Sequence, residues 1–137
     1  MAEMIRKVDY FAMDVPDKPG EGARITGALA EAGVNLLAFT GFPSGRRAQI
    51  DFVPQDTAAF KAAAKQARIK VKARKTGFLV QGDDRPGAVA GLLKRLADAK
   101  INVTAIDAVA AGMGRYGAIL WVKSRDVNKA AKALGVS

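Results

Sequence analysis

"PDKPGEGARITGALAEAGVNL" (residues 16–36) decides how this chain is read. It opens with the turn Asp17-Lys18-Pro19-Gly20 and continues with Ile25, Ala28, Leu29 and Ala32, spaced as one apolar helical face. Gly33 follows, a residue suited to ending a helix. A second copy, "DRPGAVAGLLKRLADAKINV" (84–103), begins with Asp84-Arg85-Pro86-Gly87 at an offset of 67 from the first. At that offset Leu29 falls on Leu96, Ile25 on Leu92 and Asn35 on Asn102. Upstream, Phe11 meets Phe78 and Met13 meets Val80. Downstream, Phe60, Ala63, Ala64 and Ala67 meet Val127, Ala130, Ala131 and Leu134. Agreement of the apolar pattern on both sides of the turn marks an internal duplication.

Working outward, each copy has one element order. "VDYFAMDV" (8–15) alternates around Phe11, Met13 and Val15 and predicts a strand. A helix over 19–33 follows, then strands over 35–40 and 46–53 around a turn rich in Gly, Pro and Ser. Asp56 is placed to cap a helix over 56–67. "RIKVKARK" (68–75) alternates basic and apolar residues and predicts another strand. The second copy supplies strands over 76–82, 102–110 and 115–122 and helices over 86–99 and 126–134. Its hairpin reads as two residues longer, because Ile50-Asp51-Phe52-Val53 fits Ile119-Leu120-Trp121-Val122 at offset 69.

The fold class is therefore α+β: two ferredoxin-like β-α-β-β-α-β units, each an antiparallel sheet with its helices on one face. We place repeat one at 1–74 and repeat two at 75–137, the second lacking or shortening its last strand. In this topology the last strand pairs with the first. Its loss opens an edge that we expect the other repeat or a second chain to cover.

Composition narrows the chemistry. The chain has 137 residues, half of them hydrophobic and 26% charged, as in a globular protein. It holds neither Cys nor His, which removes disulfides, thiolate metal sites and Ser–His or Cys–His nucleophile systems. No apolar run approaches the ~18 to 20 residues of a membrane span, and "MAEMIRKVDYF" lacks a signal-peptide core. We expect a cytoplasmic protein without membrane association, cofactor or metal, and no enzyme. The net charge of +9 lies in the second half. Residues 1–67 carry eight basic and eight acidic side chains, and residues 68–137 carry fourteen and five.

A strand, then Asp-Lys-Pro-Gly, then a helix ending in Ala-Gly-Val-Asn-Leu resembles the ACT domain, and the likeness extends over both halves. The resemblance implies a small regulatory module that binds an amino acid at the interface between units, pairs side by side, and controls a metabolic enzyme. As a free tandem pair, the chain would be a non-catalytic sensor, a homodimer with a regulated enzyme as partner. Carried onto this sequence, the ligand-binding residues are Asp17, Lys18, Pro19, Gly20, Glu21, Gly22, Asn35 and Leu36, with Asp84, Arg85, Pro86, Gly87, Asn102 and Val103 in the second copy.

The physics of the turn points the same way. Pro19 and Pro86 suit the first helical position, and Lys18 and Arg85 the cap before it. Gly20 and Gly87 would let a carboxylate approach the free N–H groups of the first turn, with Asn35 or Asn102 meeting the ligand's polar end. Ala88-Val89 stands where the first copy has Glu21-Gly22, so a tighter second site is expected.

Two rivals are weighed against this. "GMGRYG" (112–117) matches the dinucleotide fingerprint, but a strand, "AILWV", follows it where the fingerprint needs a helix, so a hairpin turn is expected. Lys70, Lys72 and Arg74 share one face of the strand expected at 68–75 and would suit RNA on a ferredoxin-like sheet. The aromatic signature of RNA-recognition motifs is missing, so nucleic acid is the alternative reading.

Overall fold

The computed structural model describes residues 3–136. Two compact units emerge: Asp9–Lys75, and the residues preceding Asp9 together with those following Lys75. The chain runs β1 (Met4–Pro16), α1 (Glu21–Glu31), β2 (Leu36–Ser44), β3 (Arg47–Pro54), α2 (Thr57–Gln66), β4 (Lys75–Asp83), α3 (Ala88–Asp98), β5 (Val103–Gly112), β6 (Arg115–Val122) and α4 (Val127–Leu134). A single turn of 3₁₀ helix, Ser124–Asp126, leads into α4. The α+β class and the antiparallel ferredoxin-like units are as the sequence predicts.

In the first unit, β3 pairs antiparallel with β1 and with β2, bringing Phe11 opposite Phe52 and Phe52 opposite Phe39. Alternation sends Phe11, Met13, Val15, Ile50 and Phe52 to the face covered by α1 and α2. Ile25 and Leu29 of α1 and Phe60, Ala63 and Ala64 of α2 close on it. Phe60 is fully buried, stacked on Phe11 at 4.9 Å between ring centroids and tilted against Phe52 at 5.4 Å. Asp56 caps α2 as expected, accepting a 3.0 Å hydrogen bond from the Ala59 N–H.

The second unit repeats the plan. Phe78, Val80, Ala118, Leu120 and Val122 form the sheet side of its core, and Leu92, Leu96, Ala130, Ala131 and Leu134 the helix side. Phe78 lies opposite Leu120 in the β4–β6 pairing, as Phe11 lies opposite Phe52. That register corrects the expected hairpin alignment. Phe52 corresponds to Leu120, an offset of 68, and Ile50 to Ala118. The added residue is a bulge in β5 between Ala110 and Gly112, not a longer turn. An offset of 69 would have exchanged the two faces of β6. Gly112, Met113 and Gly114 all have positive φ at the β5–β6 connection, so the glycine motif serves a hairpin turn.

The segment 68–75 is a second correction. Residues 69–74 form no strand, and Lys75 already belongs to β4. One backbone bond, Lys72 N–H to Ala12 O at 2.8 Å, ties the segment to β1. Buried Ile69 and the half-buried Val71 anchor it, and ion pairs Lys72–Asp14 (3.4 Å) and Arg74–Asp9 (3.9 Å) flank it. The side chains alternate as the sequence predicts, but the ladder does not form.

The place beside β4 that the topology gives to a last strand is taken by β1. Its first residues, up to Val8, belong to the second unit, although the sequence reading counts them in repeat one. Ile5 packs on that unit's core. The Glu3 carboxylate receives the Arg95 guanidinium and, at 3.3 Å, the Tyr116 hydroxyl.

Candidate functional site

The two Asp-basic-Pro-Gly turns lie at the C-terminal ends of β1 and β4, and each borders a cleft. In the first unit the cleft, about 270 Å³, lies between the turn and the β2–β3 hairpin. Asp17, Lys18, Glu21 and Gly22 line one side, and Phe42 and Gln49 are among the residues of the other. In the second unit the cleft is about 280 Å³ and is formed by the same elements. Asp84, Arg85, Gly87 and Val89 line it from the turn and helix, Val109 and Tyr116 from the hairpin. Val89 occupies the place of Gly22 without narrowing the second cleft, contrary to the expected tightening.

The turn geometry differs from the sequence expectation in one respect. Gly20 and Gly87 are themselves the N-caps of α1 and α3, with φ of 91° and 87°. Pro19 and Pro86 therefore precede the cap, and Lys18 and Arg85 lie further out. A side chain added at Gly20 would meet open space among the described residues, so what its glycine serves in the fold is the left-handed backbone. Pro19, Gly20 and Pro86 shape the turns without lining either cleft. No side chain caps α1 or α3.

Asn35, Leu36, Asn102 and Val103 are not brought to the clefts. Leu36 lies opposite Pro54, whereas Ser44, next to the cleft, lies opposite Arg47. The separation along β3 is about 23 Å at ~3.3 Å per residue. Helix α1 crosses the sheet between the turn and Asn35. At that far end the exposed Asn35 amide donates to Gln55 Oε1 at 3.0 Å, and Gln55 N–H returns a 2.9 Å bond to Asn35 O. Leu36 and Val103 pack on the two cores, and Asn102 is exposed. Sequence reasoning missed the hairpin side of the clefts: Phe42, Ala48 and Gln49 in the first, and in the second Val109 and Tyr116, at the places of Phe42 and Ala48. The only signal for them was the Gly-rich hairpin itself.

The electrostatics of the clefts differ. Glu21 has a largely covered side chain, and its Oε1 accepts a 3.0 Å hydrogen bond from Arg24. That bond holds the Glu21 carboxyl below its ordinary value, and the charges of Arg24 and Lys18 add to it against the opposing loss of hydration. Ala88 replaces Glu21 in the second cleft. Among the described residues Arg85 hydrogen-bonds only the Pro86 carbonyl (3.3 Å), and it borders two adjoining depressions, one shared with Tyr116. Burial first, then the charge and hydrogen bond of Glu3, raise the Tyr116 phenol above its ordinary value. Asp51, buried in the first unit, accepts from Gln49 (3.0 Å) and Thr40 (3.2 Å) and so fixes a side chain of the first cleft.

The family model described as "ACT domain" matches residues 11–69. Over that stretch the first unit is similar to the ACT domain. The match takes in the unit's turn, its helix and both sides of its cleft. No curated protein gives a significant sequence match to the chain. Among solved structures, a protein from Bacteroides thetaiotaomicron superposes with a TM-score of 0.80 at 17% identity, covering 97% of this chain and 88% of that one. The ligand-free regulatory subunit of aspartate kinase from Thermus thermophilus gives 0.63 at 19% identity, with 98% and 93% covered. The corresponding regulatory subunit from Thermus flavus gives 0.60 at 22%, with 98% and 94% covered. At these identities the likeness is one of fold, and it extends over the first unit and the second alike. Among the described residues no helix is long and apolar enough to cross a membrane.

Proposed function

We propose that this chain is a non-catalytic regulatory protein that binds a small ligand, an amino acid, in the clefts beneath its paired turns. The observation that carries this reading is the recurrence of one cleft in both units, each bordered by an Asp-basic pair and an apolar hairpin wall. A zwitterion needs a cation and an anion close together, and Lys18 with Glu21, or Arg85 with Asp84, supply them. The ACT match and the similarity to aspartate kinase regulatory subunits support a regulatory role over a catalytic one.

The nucleic-acid alternative loses its platform. The strand face that would present Lys70, Lys72 and Arg74 is not a strand, and Lys72 and Arg74 already pair with Asp14 and Asp9.

The reading extends to a homodimer. β2 and β5 end the sheet order, β2 has no charged residue and β5 only Asp107. Edges so sparsely charged are suited to pairing with a second copy. A regulated enzyme would then be the third component, in the cytoplasm.

A thermal-shift panel of the twenty amino acids tests the ligand. At a hundred times its dissociation constant a ligand stabilises by about 2.7 kcal/mol, which moves the midpoint by ~5 to 10 °C. No shift with any amino acid would sink the reading.

A further inference from the structure

We propose that the second cleft takes short aliphatic monocarboxylates whether or not they carry an α-ammonium group, whereas the first requires the ammonium. The proposal rests on reading both clefts as ligand sites, and it concerns what distinguishes them. The first cleft presents two carboxylates, Asp17 and Glu21, and one cation, Lys18. Arg24 engages Glu21 through Oε1, leaving Oε2 to meet a ligand cation. Arg24 balances the sum of charges but does not line the cleft, so a carboxylate entering there without an ammonium group of its own meets the Glu21 carboxylate at short range, where the second cleft has Ala88. Such like-charge opposition is how sites reject near relatives of their ligand.

The second cleft has no counterpart of Glu21. Its charges are Asp84 and Arg85, and Asp84 matches Asp17, so the lost carboxylate is the difference between the two. Arg85 replaces Lys18, and among the described residues it makes no ion pair. Its planar fork suits a carboxylate through two parallel hydrogen bonds, which a lysine cannot offer. The rest of the wall is mainly aliphatic: Ala88, Val89, Ala108, Val109 and Ala110 stand where the first cleft has Glu21, Gly22, Gly41, Phe42 and Pro43, and Tyr116 stands in the place of Ala48. A branched aliphatic tail packs on such a wall, and the exposed Asp84 is the one carboxylate lining it. The ligand class that satisfies an arginine and an aliphatic wall is a short branched carboxylate, α-amino or α-keto.

Calorimetric titration with L-valine and with its α-keto acid tests this on the full chain. The wild-type protein is compared with Arg85→Gln, Val109→Asp and Glu21→Gln. Arg85 and Val109 are exposed, and circular dichroism checks each variant's fold. The keto acid should fill one site on the wild type and a second on Glu21→Gln, where the opposing carboxylate is gone. It should bind Arg85→Gln about tenfold more weakly or worse, the loss typical of a charged hydrogen-bond partner, and Val109→Asp likewise. Valine binding without keto-acid binding would overturn this inference and leave the amino-acid reading standing. Keto-acid binding indifferent to Arg85 would also overturn it. Keto-acid binding through Arg85 with no amino acid bound would uphold the inference and remove the amino-acid reading, and binding of neither would remove both.

Discussion

Gly22 and Val89 hold the same position in the two clefts, the second residue of α1 and of α3, and the clefts are nearly equal in size. Gly22 has ordinary helical backbone and open space around its missing side chain. Gly22→Val should therefore leave the fold intact, with stability changed by no more than about 0.5 kcal/mol, and leave the first cleft open as Val89 leaves the second. Titration of an amino acid that binds the wild type should show the same number of sites. Loss of a site would refute the equivalence of the two clefts at this position.

Gly20 behaves differently although it is two residues away. Its φ of 91° is a conformation that β-branched residues avoid. Gly20→Val is expected to destabilise by about 1–3 kcal/mol, read as a lower denaturant midpoint with an unchanged slope. Equal stability of Gly20→Val and Gly22→Val would refute the assignment of Gly20 to backbone geometry.

Helix α1 ends at Gly33 with φ of 76°, whereas α3 ends with Lys100 in the same left-handed region at 60°. A non-glycine residue is strained there. Lys100→Gly should stabilise the protein by up to about 1 kcal/mol, raising the thermal midpoint by a few degrees. Gly33→Lys should have the opposite sign.

The chain has two tyrosines, Tyr10 and Tyr116, and both phenols are raised above the ordinary 10.0, Tyr10 by burial and then by the charge of Asp51. A raised phenol keeps its proton longer in the folded state than in the unfolded one. The associated stability is complete below pH 10 and is lost as pH rises through the folded values. Spectrophotometric titration of the native protein should show less than half of the phenolate at the ordinary midpoint. Tyr116→Phe should flatten the alkaline loss of stability.

Phe60→Ala removes the ring at the centre of the first core, stacked on Phe11 and tilted against Phe52. A loss of about 3–5 kcal/mol is expected, measured by chemical denaturation. For the dimer, Ala105→Lys on the exposed face of β5 should halve the solution mass toward the 14.4 kDa of one chain.

Much of the fold was legible because single residues carried it. Ile25 and Leu29 predicted the buried face of α1, Leu92 and Leu96 that of α3, and Asp56 the start of α2. The hairpin register was not legible. A one-residue bulge at Ala111 changes which side chains face the core, while the similarity of Ile50 to Ile119 favoured the wrong alignment. The segment after Arg68 misled for another reason. Alternation records which side chains are covered, here Ile69 and Val71, and says nothing of whether backbone groups pair. Half of the candidate site was legible, since the turn residues are contiguous. Asn35 follows Gly20 closely in the motif, yet eleven residues of helix carry it to the opposite end of the sheet. The residues facing the turn arrive from a hairpin more than twenty positions downstream.

The residues up to Val8 complete a unit whose remaining chain starts at Thr76. During synthesis that strand emerges first and waits for β4, β6 and their helices, while Asp9–Lys75 can close on contacts already made. Pairing across so long a loop is slow to form. Limited proteolysis that cuts between residues 3 and 8 should therefore loosen the C-terminal half of the chain before its own neighbours, and a fragment beginning at residue 76 should fold poorly unless the first residues are supplied as a peptide.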